Sequence, residues 1–232
     1  MDLITAENLT KSYGSNTVLN NLNFTLPAGE VIGLFGPNGC GKTTMMKILT
    51  GLIHDYEGTV KIKGEVPGEK TKAFISYLPE QSFVHDWMRN VDAVNYYADF
   101  FRDFDRERAL KMLEHFHLPL KQKCKSMSKG QQEKLVLSLV LSRRAELYIL
   151  DEPLGGVDPA ARNDILEFIM NNYAKEATLL ISTHLISDLQ SVFTHAVFLG
   201  NGQVLLNESA EDILAEGKTV EQRFMEVFAH VW

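Results

Sequence analysis

The chain has 232 residues, 45% of them hydrophobic and 23% charged. That is enough to bury roughly 70% of the surface the unfolded chain exposes, so no disulfide or structural metal is needed to hold a core. Its 30 acidic against 23 basic residues give a net charge of −7, which argues against general nucleic-acid binding, because neutralising phosphates needs a basic face. Two cysteines, Cys40 and Cys124, are too few for a disulfide framework, and neither has a metal-ligand neighbour at C-x-x-C spacing. No stretch reaches the ~18 apolar residues of a membrane span, and the N-terminus carries an acid, Asp2, where a signal peptide would be basic. The expectation is one soluble, intracellular α/β domain over residues 1–232, at most peripherally attached to a membrane.

In chain order, residues 3–9, 17–26 and 31–35 are rich in Val, Ile, Leu, Thr and Phe and are punctuated by Gly14, Pro27-Ala28-Gly29 and Gly36. They read as strands. A helix is expected over 43–52, then strands over 59–62 and 73–78. From 87 to 127 the pattern changes. Aromatic residues recur at helical spacing (Tyr96, Tyr97, Phe100, Phe101, Phe104) with charges between them, so an all-helical insertion over about 82–127 is expected. Alternation then returns, with strands at 147–150, 178–182 and 196–199 and helices at 159–173 and 185–193. Asn201-Gly202 signals a hairpin into 203–206, and helices follow at 210–215 and 220–228. Strands separated by helices imply a mostly parallel sheet covered on both faces.

Gly36-Pro37-Asn38-Gly39-Cys40-Gly41-Lys42-Thr43 fits G-x-x-x-x-G-K-[ST], with Thr44 next on the helix it opens. A strand before and a helix after supply the context this motif needs. Glycines let backbone N–H groups converge on an anion, and the helix N-terminus adds partial positive charge. Lys42 is expected to reach the β- and γ-phosphates of ATP, and Thr43 to offer a hydroxyl to Mg²⁺. The run Leu147 to Leu150 ends in Asp151 and Glu152, placing Asp151 as a second Mg²⁺ ligand, often through water, and Glu152 as general base on the attacking water. Cys40 has two readings. A thiol near a helix N-terminus can be reactive, but inert packing is preferred.

Further elements follow in one order: Tyr13 before the phosphate loop, Gln81 after the 73–78 strand, Met127-Ser128-Lys129-Gly130-Gln131 before the acidic strand, Asp158 soon after Glu152, and His184 after the 178–182 strand. This order and spacing resemble the ATPase subunit of ATP-binding cassette (ABC) transporters across essentially the whole chain. The resemblance implies a P-loop NTPase fold with a mostly parallel central sheet, an N-terminal antiparallel β part and an inserted helical subdomain. It also implies roles. Tyr13 would stack on adenine. Gln81 would sense Mg²⁺ and the γ-phosphate, and link them to the helical insertion. His184 would contact the γ-phosphate and position the water. Asp158 would reach across a dimer interface, although it also suits a helix N-cap before Pro159. Ser128, Gly130 and Gln131 stand where the family writes LSGGQ, with Met127 for Leu and Lys129 for the first Gly. They would cap the γ-phosphate of ATP bound to the other subunit, while Ser128-x-x-Gln131 equally forms a capping box.

In the family's geometry the signature segment is too far away to cap its own nucleotide. The resemblance therefore implies two copies, or one copy and a paralogue, sandwiching two ATP head to tail. It further implies separate multi-span membrane subunits, a location on the cytoplasmic face of the cell membrane, and a groove at Trp87, Tyr96, Tyr97 and Phe101 for a helix of the membrane partner, although ordinary core packing suits these four side chains equally. The short chain after the ATPase core and the phrase from Ser182 to Leu189 resemble exporters. A soluble ABC ATPase serving a non-transport machine is the alternative. A P-loop kinase or switch protein disagrees with Gln81, His184 and the signature-like segment. No nucleic-acid partner is expected.

Overall fold

A computed structural model describes residues 2–80 and 83–229. In chain order, β1 (Asp2–Tyr13) and β2 (Asn16–Pro27) are followed by β3 (Val31–Phe35), α1 (Lys42–Leu49), β4 (Glu57–Ile62), α2 (Glu69–Lys72) and β5 (Ile75–Leu78). Next come α3 (Asn90–Phe100), α4 (Arg106–His115), a 3-10 turn at Cys124–Ser126, α5 (Lys129–Leu141), β6 (Leu147–Asp151) and α6 (Pro159–Asn172). The chain continues through β7 (Thr178–Thr183), α7 (Ile186–Leu189), β8 (His195–Gly200), β9 (Gln203–Ser209), α8 (Ala210–Ala215) and α9 (Val220–Phe228).

The strands form two sheets. An antiparallel one has the order β2-β1-β4, and a six-stranded one has the order β5-β6-β7-β3-β8-β9. The larger sheet is parallel except where β9 returns against β8. That hairpin turns at Asn201-Gly202, where both residues have positive φ (48° and 70°), as a two-residue type I′ turn requires.

Strands β3, β6 and β7 are buried along their whole length, so each reads as an apolar run rather than an alternation. Their side chains divide between two cores. Phe35, Tyr148, Leu150, Leu179 and Ile181 face the side covered by α5, α6 and α9. Ile32, Leu34, Leu147, Ile149 and Leu180 face α1 and the antiparallel sheet. A third core lies among the helices, around Val94, Leu113, Leu135 and Leu139.

Helix α5 joins the first core to the third. Leu135 and Leu139 belong to the helical core, while Val136, Leu137, Val140 and Leu141 pack toward the sheet. A helix that is apolar on both sides must be sandwiched. At roughly 1.5–3 kcal/mol per large buried side chain, its six aliphatics contribute on the order of 10 kcal/mol as an upper estimate.

Several elements differ from the sequence pattern. The insertion is not continuously helical: α3 and α4 are separated at Phe101–Asp105, and Pro119 and a positive-φ His117 end the helical run after α4. Tyr97, expected in a groove for a partner, is also a core residue, only 7% exposed and packed against Phe101 and Phe104 at 5.1 and 5.5 Å between centroids. The helix expected over 185–193 is only the four-residue α7. Phe193 must turn inward onto Phe35, 5.0 Å away and edge-on, and Thr194 must lock to Val31 through backbone and hydroxyl. Residues 73 and 74 are not strand but the end of the α2 turn, which the pattern did not reveal.

Arg143 ties the helical part to the sheet. It is 3% exposed, donates from Nε to both Asp103 oxygens at 3.1 Å, and donates further to the carbonyls of Lys72, Ala73 and Ile75. Its guanidinium also lies 4.0 Å from the centroid of Phe101. Removing one partner of such a network leaves a carboxylate and three carbonyls uncompensated. Arg143→Ala is expected to cost about 3–5 kcal/mol, read as a lowered urea midpoint. A loss below about 1 kcal/mol would show that these contacts are not structural.

Candidate functional site

The parallel register brings the C-terminal ends of β3, β7 and β6 side by side, Phe35 opposite Thr183 and Asp151 opposite Ser182. Ligands of open α/β sheets bind outside such carboxyl ends. The loop from Gly36 to Gly41 leaves β3 here and enters α1. Gly36 is dictated by space: a Cβ there would lie 2.2 Å from the Leu199 carbonyl oxygen and 2.6 Å from Cys40 Sγ. Gly41 caps α1 at φ 109°, and a Cβ there would lie 2.7 Å from Leu19 Cδ2. Asn38 and Gly39 are exposed at the loop tip, Pro37 is half-buried beside them, and Thr43 and Thr44 sit half-buried in the first turn of α1.

Lys42 is buried and folds back over its own loop, donating to the carbonyls of Gly36 at 2.8 Å and Pro37 at 3.2 Å. Its Nζ is also 3.8 Å from Glu152 Oε1. The other oxygen of Glu152 accepts a hydrogen bond from His184 Nδ1 at 2.9 Å. Glu152 is therefore held between a lysine and a histidine, with its side chain 12% exposed. Its backbone is left-handed, φ 49°, and its N–H donates to both the hydroxyl and the carbonyl of Ser182.

Asp151 is 1% exposed. Its Oδ1 accepts from Ser182 Oγ at 2.6 Å, while Oδ2 is buried with no hydrogen-bond partner. A buried carboxylate oxygen left unpaired is costly, and it is the chemistry a divalent cation satisfies. Among the described residues no group of three or more His, Cys, Asp or Glu forms a stand-alone metal site. One carboxylate with one hydroxyl suits Mg²⁺, which is held by few protein ligands together with substrate phosphates.

Ser128 and Gln131 form the expected capping box: Gln131 N–H donates to Ser128 Oγ at 3.3 Å, and Ser128 N–H donates to Gln131 Oε1 at 3.0 Å. Nothing lies within 4 Å of a Cβ built on Gly130. Ser128, Gly130, Gln131 and Asp158 border a cavity of about 520 Å³ shared with Asp151 and Glu152. Lys129 borders an adjoining cavity of about 600 Å³ with Asn38, Glu152 and His184. Its ammonium lies 3.7 Å from Glu133 and leans over Gly156, where a Cβ would come within 2.7 Å of Nζ. Burial pushes the Glu133 carboxyl up from its ordinary value, against the pull of Lys129. Asp158 caps α6, accepting from Ala160 N–H at 3.1 Å, with Pro159 at the first helical position.

Tyr13 ends β1, half exposed, where the β1–β2 hairpin closes. Gln81 lies outside the described residues. Cys40 is 7% exposed, and burial raises its thiol pKa more strongly than Lys42 lowers it. Ser182 was not anticipated, although a hydroxyl between the apolar run of β7 and His184 was a usable signal.

A glycine loop from strand to helix, beside an acidic strand end in a parallel sheet of this order, defines a P-loop nucleotide hydrolase. The family model described as "ABC transporter" matches residues 19–155, and the chain belongs to that family. It is 30% identical over 208 residues to the lantibiotic transport ATP-binding protein SrtF of Streptococcus pyogenes, covering 89% of this chain and 90% of that one. It is 28% identical over 225 residues to the lipopolysaccharide export system ATP-binding protein LptB of Haemophilus influenzae, covering 92% and 93%. A solved structure described as the ATP binding subunit of an ABC transporter superposes with a TM-score of 0.86 at 26% identity, covering 97% and 99%. The chain is an ABC transporter ATP-binding subunit, an ATPase whose hydrolysis is coupled to transport. Among the described residues no helix is long and apolar enough to cross a membrane.

Cys40, buried and held protonated, is expected to react with iodoacetamide about tenfold or more slowly at neutral pH in the folded protein than in urea. Equal rates, followed by mass spectrometry of the loop peptide, would return it to the reactive class.

Proposed function

We propose that this subunit binds ATP with Mg²⁺ at the Gly36–Thr44 loop and hydrolyses it within a head-to-tail dimer, with a second copy or a paralogue. The observation that carries the reading is the convergence of Lys42, Asp151, Glu152 and His184 at three adjacent strand ends. Lys42 binds the β- and γ-phosphates, displacing its own contacts to the loop carbonyls. Thr43 and Asp151, whose Oδ2 is buried and unpaired, would hold Mg²⁺, which would supply positive charge to neutralise the phosphates. Glu152 takes the proton of the attacking water, and His184 orients Glu152 through Nδ1 and meets the γ-phosphate. Gln81 reports the cation and γ-phosphate to the helical part. Tyr13 stacks on adenine. Ser128, Gly130 and Gln131 cap the partner's ATP, and Asp158 crosses the interface.

Residues 82–127 serve as a helical subdomain that moves against the ATPase core. A groove of about 330 Å³ lined by Tyr97 and Phe101 of the four expected residues, together with Leu52, Tyr77 and Phe83 but not Trp87 or Tyr96, supports docking of a cytoplasmic helix from a separate multi-span membrane subunit. In this reading the chain works on the cytoplasmic face of a membrane. Export is the proposed direction, supported by relatives named for lantibiotic transport and lipopolysaccharide export.

Glu152→Gln is expected to keep ATP binding while slowing turnover by about 10²–10⁴, the contribution of a general base. Unchanged turnover would overturn that assignment. Lys42→Ala is expected to weaken ATP binding, and wild-type affinity in that variant would argue against the phosphate site. Gentle detergent extraction of native membranes is expected to recover the chain with a multi-span protein. Recovery only in the soluble fraction with soluble partners would move the reading to a non-transport ABC machine.

A further inference from the structure

We propose that Lys11 is a positioning residue for the nucleotide base. Its buried ammonium, anchored by Asp55, braces the inner face of Tyr13 so that the outer face is held ready for adenine. The inference rests on the adenine-stacking reading of Tyr13.

Lys11 lies two residues before Tyr13 on β1 and is only 3% exposed, although lysine is almost never so fully buried unless paired. Its Nζ donates to both the backbone carbonyl and the carboxylate of Asp55, each at 2.7 Å. The same Nζ stands 4.6 Å from the centroid of the Tyr13 ring. The Asp55 side chain is itself 87% exposed. The hydrogen bond from Lys11 holds the Asp55 carboxyl below its ordinary pKa.

The position relative to the phosphates follows from the hairpin. Tyr13 pairs with Asn16. Two residues on, the Val18 carbonyl oxygen and Cγ1 lie 3.2 and 3.3 Å from a Cβ built on Gly41, the residue that caps α1. The Tyr13 end of the hairpin is thus packed on the start of the phosphate-loop helix. Asp55 lies on the segment between α1 and β4. Lys11 therefore ties the Tyr13 ring to the segment after α1, while the hairpin that carries the ring packs on the start of α1.

Two physical effects follow. A cation on one face draws π density from the ring and reduces the repulsion felt by a base stacked on the opposite face. The ring is also ordered before the nucleotide arrives, so less side-chain entropy is lost on binding. Both effects act on the base and leave the phosphates alone, which separates this role from a simple tie between β1 and the Asp55 segment.

The experiment uses the full chain and measures affinity for ATP and for inorganic tripolyphosphate at one Mg²⁺ concentration. Lys11→Met is expected to weaken ATP by about three- to tenfold and to leave tripolyphosphate within about twofold. Lys11→Arg restores most of the ATP affinity. In a Tyr13→Ala background Lys11→Met has no further effect. Equal losses on ATP and tripolyphosphate, or an undiminished loss without Tyr13, would make Lys11 a structural tie only and overturn the proposal. If Lys11→Met does not fold, Asp55→Ala at an exposed side chain removes the carboxylate half of the same anchor and leaves the backbone carbonyl, with an expected ATP-only loss of about two- to threefold; no such loss counts against it. The two readings fail separately. Tyr13→Ala with unchanged ATP affinity removes the stacking assignment, whereas a weakened Tyr13→Ala beside an unaffected Lys11→Met removes only the role of Lys11.

Discussion

The site depends on one constraint, the register of the three central parallel strands. Strand β7 lies between β3 and β6 and pairs Thr183 with Phe35 and Ser182 with Asp151. That alignment sets the exit of β3, where the phosphate loop begins, level with the acidic end of β6. Ser182 then acts on both acids, donating its hydroxyl to Asp151 and receiving the Glu152 N–H. A slip of one residue would send every side chain of a strand to the opposite face. The two cores guard against this, because consecutive residues of β3, β6 and β7 belong to different cores and all are buried.

Glu152 shows how that register becomes chemistry. Continuing β6 would carry its side chain away along the sheet. A left-handed turn at φ 49° instead aims it at Lys42 and His184. Such a conformation in a residue other than glycine is a strain of about 1–3 kcal/mol that the surroundings must over-determine. The double acceptance of its N–H by Ser182 supplies that determination. Asp151 carries a similar burden in its unpaired, buried Oδ2. Both costs fall at the strand ends where the functional groups meet, which is where local rules are expected to fail in a working protein.

Much of this was legible in the sequence. The phosphate loop, the acidic strand end and the Asn201-Gly202 turn were readable because each is dictated by local chemistry: space for backbone at Gly36, burial before Asp151, positive φ in the turn. The capping box at Ser128 and Gln131 and the cap at Asp158 are local in the same sense. What escaped was long-range. Tyr97 shares a helical pattern with the exposed Tyr96, and only packing against Phe101 and Phe104 separates them. The helix pattern over 185–193 yields to the need to bring Phe193 under Phe35. Lys11 gave no pattern because its partner lies 44 residues away, and Ser182 offered only its place before His184, its partner lying 31 residues away.

Helix α5 is where the two halves of the molecule meet, and its sequence reflects both. Its first turn carries Ser128, Lys129, Gly130 and Gln131 beside the cavities that hold the acids. Its last two turns are clamped between the helical core and the sheet. A displacement of the helical part must therefore carry that first turn with it, since the clamped turns cannot shear without exposing close-packed aliphatics. Arg143, two residues beyond the end of α5, fastens the same region to Asp103 on one side and to the chain entering β5 on the other. The helical part and the Ser128–Gln131 turn are thus joined to the sheet through one helix, with Arg143 fastening its C-terminal end.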